Sequence, residues 1–224
     1  MISNLPMVVN IVFILTTLLS IFLFYKATDH SKITLVILFA WISLQAAISL
    51  SGFYTITDTF PPRFVLLAPP AVLFIIGLFV TVRGRTYIDS LDTKTLTLLH
   101  IVRIPVELTL YWLFINKSIP QLMTFEGRNF DILAGLTAPL VFYFGYVKNR
   151  FNKTVLLLWN FICLGLLLNI VVNAVLSAPS FFQQFAFEQP NTAILYFPFV
   201  WLPCCVVPLV LLAHLVCIRK LLQK

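Results

Sequence analysis

Apolar residues run along this chain in blocks of about twenty, the length a helix needs to cross the hydrocarbon core of a bilayer, and polar residues collect between the blocks. The blocks predict seven helical spans, near 7–25, 33–53, 64–82, 95–116, 130–147, 154–176 and 193–218, within one transmembrane domain covering 1–224. The expected fold class is therefore all-α, a polytopic seven-helix bundle. Met1-Ile2-Ser3-Asn4 carries no basic segment and no small-residue cleavage site follows, so the first span reads as retained rather than as a signal peptide. Prolines interrupt the third span at Pro69-Pro70, the fourth at Pro105 and the seventh at Pro203. Residues 64–72 and 199–207 resemble one another, each after a Pro-containing loop, which raises a three-plus-one-plus-three internal repeat with the fourth span as linker.

Composition confirms the class. The chain is 60% hydrophobic and only 10% charged, against about 25% charged in soluble domains, and its mean hydropathy is +1.00. The net charge of +7 does not point to nucleic acid, because the basic residues are not gathered on a soluble face. They fall in short loops on one side. With the amino terminus outside, Lys26, Lys32, Arg83, Arg85, Lys94, Lys148, Arg150, Lys153, Arg219, Lys220 and Lys224 lie in the cytoplasm and Arg63, Lys117 and Arg128 lie outside. With Arg103 inside the membrane, these account for all 15 basic residues. Insertion follows such asymmetry, so the carboxyl end is expected inside. Cys163, Cys204, Cys205 and Cys217 all sit in apolar runs without C-x-x-C spacing and read as small buried hydrophobes.

The fourth span carries the candidate chemistry. His100, Arg103, Glu107 and Tyr111 fall within roughly 80° of one another on a helix, forming one polar stripe in an apolar run. Charges in a membrane interior face a bundle core or cavity and pair with something. Arg103 and Glu107 are four residues apart, but arginine before glutamate is the weaker orientation for an intrahelical pair, which leaves room for partners on other helices. Pro105 removes the backbone donor to the Ile101 carbonyl, so a kink is expected beside the stripe. At about 1.5 Å per residue, Glu107 lies near the midplane.

Other polar residues extend this picture. Glu126, Arg128 and Asp131 form a charged cluster ahead of the fifth span, read either as capping, with Asn129, or as a mouth above the stripe. Asn169 and Asn173 share a face of the sixth span, which also carries Asn160 earlier in its course, and Gln45 in the second span is placed to reach Arg103 or Glu107 across the bundle. Residues 177–198 mix phenylalanines with glutamines, as an interfacial segment does. His100 and His214 lie at similar depth and would meet only if the fourth and seventh spans were neighbours. A metal or haem site rests on that pair alone, so no cofactor is expected.

Three functional readings follow. The first is binding or transport of a small polar or anionic solute, with Arg103 engaging the anion and Glu107 accepting a proton. The second is an intramembrane enzyme acting on a lipid or isoprenoid, with Glu107 as general acid or base, assisted by His100. The third is a non-catalytic assembly or sensor component. The chain lacks G-x-x-x-x-G-K-[ST], H-E-x-x-H and G-x-S-x-G, so ATP hydrolysis, a zincin site and a serine elbow are not supported. A retinal Schiff base in the seventh span is excluded because no lysine precedes Lys220 there. The partners expected are the lipid bilayer and a small polar or lipidic ligand. No lipidation or retention signal appears at either end, and the expected location is a bacterial inner membrane.

Overall fold

The computed structural model describes Ile2 and residues 5–223; Met1, Ser3, Asn4 and Lys224, which entered the reading of the two ends, lie outside them. Among the described residues the chain is all-α, with eight helices joined by loops and short 3-10 turns. They are α1 (Met7–Ala27), α2 (Lys32–Leu50), α3 (Arg63–Val80), α4 (Val82–Ser90), α5 (Thr93–Ile115), α6 (Ile132–Val147), α7 (Lys153–Leu176) and α8 (Leu202–Gln223). All but α4 and α6 are long and apolar enough to span a membrane, making this an integral, multi-pass membrane protein. α6 is apolar but shorter, and α4 is a polar helix inside what the sequence reads as a loop. α8 begins at Leu202 rather than near 193, because residues 193–201, which include Pro198, fold as tight turns before the chain becomes helical.

Helix starts differ between the two ends of the bundle. Ser31, Thr81, Asp92 and Asn152 cap α2, α4, α5 and α7 by accepting hydrogen bonds from backbone amides of the first turn. Among the described residues, the helices that start at the opposite end, α1, α3, α6 and α8, have no side-chain cap. The capped end is stitched together: the Asp92 amide donates to the Ala27 carbonyl, Lys220 Nζ donates to the Leu91 carbonyl at 2.7 Å, and Arg219 pairs with Asp89 at 2.9 Å. At the other end the loops interlock. Gln189 Nε2 donates to the Phe114 and Ile119 carbonyls, and Ser49 Oγ donates to the Leu195 carbonyl.

α8 is the central post, mostly buried, whereas α2 and α3 bury few of their residues. It packs on α7 and on the first half of α5, while α1 runs along the length of α5. Within α1, Thr16, Thr17 and Ser20 turn inward with their hydroxyls satisfied, each bonding the carbonyl four residues back. α2 and α3 are outer leaves whose free faces, including Ile33, Val36, Leu73 and Phe74, suit contact with lipid. All four cysteines are buried and free.

Candidate functional site

The site begins with a fault in α5. Pro105 has no N–H to give, and the turn it would have closed, His100–Val102, tightens to 3-10 geometry. His100, Arg103 and Glu107 are all buried, at 0%, 2% and 1% exposure. They do not pair among themselves. Arg103 Nη1 instead forms a 2.6 Å ion pair with Asp131, the residue ahead of α6. The same nitrogen donates to the Cys163 carbonyl on α7 at 3.3 Å, and Nη2 donates to His214 Nε2 on α8 at 2.8 Å.

That last contact fixes a tautomer. A guanidinium only donates, so His214 Nε2 accepts, and Nδ1 carries the proton that it gives to Asn160 Oδ1 at 2.9 Å. Asn160 Nδ2 in turn donates to the Leu156 carbonyl. His214 is thus a neutral ring held from both sides. α5 and α8 are neighbours, and the His100 ring stacks on His214 with centroids 3.9 Å apart and planes 18° from parallel. Trp159 meets His100 edge-on at 5.5 Å. Both nitrogens of His100 are buried and have no protein partner among the described residues.

Glu107 is served by the loop between α5 and α6. This segment turns back into the bundle, where Met123, Thr124 and Asn129 are buried. Asn129 Nδ2 donates to Glu107 Oε1 and to the Met123 carbonyl, and Asn129 Oδ1 accepts from the Asp131 amide at 3.0 Å. Irregular backbone is tolerated at membrane depth only where protein surrounds it or a cavity adjoins it. Here one asparagine serves one oxygen of a buried carboxylate and two groups of the loop. Glu107 Oε2 has no partner among the described residues. The capping expected of Asn129 and Asp131 takes another form: Asn129 accepts from Asp131 just ahead of α6, and Asp131 spends its carboxylate on Arg103.

Asp131 also reaches a cavity. A space of about 310 Å³ lies between the start of α3, α7 and α8, walled by residues such as Phe64, Leu167, Ile170 and Leu202, and Asp131 is the single charged residue of its lining among the described residues. A second space, of about 560 Å³, lies on the other side of α3 between α2 and α8.

The other sequence candidates stand elsewhere. Tyr111 stacks on Phe125 with centroids 5.0 Å apart. Gln45 does not cross to the stripe; its Oε1 accepts from Tyr54 Oη at 2.6 Å. Asn169 Nδ2 donates to the Arg128 carbonyl and Asn173 Nδ2 to the Asn169 carbonyl, so this pair ties α7 to the returning loop. Glu126 and Arg128 are exposed, with Arg128 over the Phe185 ring, and they are not joined to buried Asp131 in one charged mouth. Residues 177–198 form no amphipathic helix. Among the described residues no three His, Cys, Asp or Glu side chains are grouped to hold a metal ion.

Comparison with known proteins adds one result. No curated protein and no solved structure matches the chain. Residues 61–222, which contain Arg103, Glu107, Asn129, Asp131, Asn160 and His214, match the family described as domain of unknown function DUF8737, and the chain belongs to that family.

Proposed function

We propose that the protein crosses the membrane seven times, with its amino terminus outside, and binds a lipid-derived molecule bearing a hydroxyl or similar donor in the cavity that ends at Asp131. The observation that carries this reading is that Asp131, ion-paired to buried Arg103, is the one charged residue lining an otherwise apolar cavity among the described residues. Small-molecule sites have this composition: volumes of about 300–1,000 Å³, mostly apolar linings and a few placed polar groups. An apolar wall favours a lipidic ligand over the small polar or anionic solute suggested by the charges alone. Arg103 spends its guanidinium nitrogens Nη1 and Nη2 on protein and is not part of the lining, so Asp131 is the residue of the network that adjoins the ligand. The orientation rests on the basic loops, which gather at the capped end.

The test is photolabelling of the purified chain with a diazirine-bearing isoprenoid alcohol. Labelling is expected near Asp131, competed by the unlabelled alcohol, and reduced by Asp131→Asn. Ala174→Phe, which fills the cavity from α7 without touching the ion pair, is expected to abolish it. Labelling unchanged in Ala174→Phe overturns the proposal.

A second reading has its own support. Arg103 joins the α6 start, α7 and α8, so the network is also suited to specifying helix arrangement alone. Under it, Asp131→Asn lowers stability and no ligand is competed from the cavity.

A further inference from the structure

The larger space, between α2, α3 and α8, differs from the cavity at Asp131 in size and in where its polarity lies. Its wall on α2 runs from Ser31 to Trp41, about 15 Å of helix, half of a hydrocarbon core about 30 Å thick. It is therefore one leaflet deep. The inner end is closed by two latches between α2 and the α8 segment: Trp41 Nε1 donates to the Cys204 carbonyl at 2.8 Å, and Trp201 Nε1 donates to the Ile42 carbonyl at 2.9 Å. Between the ends the lining is apolar, with Ile37, Phe74 and Leu209 among it. At the outer end three hydroxyls form a chain across α2 and α4: Ser31 Oγ and Tyr87 Oη each lie 3.1 Å from Thr34 Oγ1.

Basic residues outnumber acids around that end, where exposed Asp29 precedes Ser31. Lys32 follows Ser31, Arg83 sits one helical turn before Tyr87, and Arg85 is on the same short helix; all three are exposed and none is in an ion pair among the described residues. The acid on α4, Asp89, is committed to Arg219. Basic side chains at the membrane surface attract anionic headgroups, and hydroxyls beside them supply donors for phosphate oxygens.

We infer that this groove holds one acyl chain of an anionic phospholipid, with the phosphate at the Ser31, Thr34 and Tyr87 hydroxyls and the charge met by Lys32 and Arg83. The site is separate from the cavity at Asp131 and does not depend on it.

The experiment is native mass spectrometry of the purified, delipidated full chain titrated with dioleoyl phosphatidylglycerol or dioleoyl phosphatidylcholine. The expected result is one retained lipid per chain, with the glycerol lipid preferred about ten-fold, the effect of one to two basic residues near a surface. Lys32→Ala with Arg83→Ala, both exposed and harmless to packing, should erase the preference. Ala71→Phe, which fills the groove, should remove the retained lipid of either kind. Equal retention of both lipids by the native chain overturns the inference. So does a preference that survives Ala71→Phe, which would mark simple surface attraction. Ala174→Phe, aimed at the other cavity, should leave this result unchanged, so failure of either site is read independently.

Discussion

Arg103 touches three segments at once, and its removal strands more than one group. Arg103→Ala leaves Asp131 as an unpaired buried carboxylate and takes the donor from His214 Nε2. Breaking a buried pair from one side costs about 3–5 kcal/mol, whereas replacing both partners with apolar groups of similar size is often neutral or better. Arg103→Ala and Asp131→Ala should each lower stability by that amount in a detergent-unfolding titration, and Arg103→Met with Asp131→Leu should recover most of it. A double variant as unstable as the singles would show that the charges themselves are needed. That Arg103 and Glu107 face inward was legible from their place in an apolar run. Their partners were not, because hydropathy and helical spacing rank only neighbours on one helix. The spacing offered Arg103–Glu107, yet Asp131 wins by arriving from another segment at 2.6 Å while Asn129 takes Glu107. Gln45 erred in the same way: Tyr54, nine residues on, was nearer than the distant stripe.

The returning loop ahead of α6 has a tight requirement at Gly127. A Cβ there would lie 2.6 Å from the Leu122 Cα and clash with the Gln121 carbonyl oxygen, both backbone atoms that cannot swing aside. Gly127→Ala should therefore open the loop and loosen Asn129 from Glu107, at about 1–3 kcal/mol for an overpacked site. Faster hydrogen exchange at the Gly127 and Asn129 amides, both bonded to the Thr124 carbonyl, would register it; native protection would contradict it. The dense polar run through this loop was legible as a cluster, but its depth was not, because a loop's path inward leaves no periodic mark in the sequence. The start of α5 makes a different prediction, in pH. Burial alone would raise the Asp92 carboxyl, but hydrogen bonds from the Thr95 hydroxyl and the Thr95 and Lys94 amides outweigh it and hold the group below the usual range. A depressed folded value means the cap stabilises fully above the unfolded value of about 3.9 and fades as pH falls through the folded one. Thr95 amide protection, corrected for intrinsic rates, should drop on acidification below that point, and Asp92→Asn should lose the pH dependence.

Across the molecule, the arrangement of ends makes orientation a single binary question. Contacts at the capped end bring together the chain near Ala27, the α4–α5 junction and the last turn of α8, all next to basic residues. The loops carrying Glu126 and Gln189 interlock at the far end, where Gln189 and Thr192 bond the Ile119 and Ser118 carbonyls. Most helix positions were readable from hydropathy, since a span must keep its backbone satisfied internally and so shows as a continuous apolar block; polar α4 escaped for the same reason. None of these contacts depends on which end faces the cytoplasm, whereas the insertion machinery responds to the lysines and arginines themselves. Sidedness is thus testable apart from the fold. The native cysteines are buried, so Glu126→Cys and Arg150→Cys, both at exposed positions, give clean reporters for a membrane-impermeant maleimide on intact cells. Glu126→Cys should react from outside and Arg150→Cys only after permeabilisation. The reverse pattern would invert the molecule and place the basic rim of the α2–α3 groove on the outer leaflet, while leaving the Arg103–Asp131 pair and both cavities where they are.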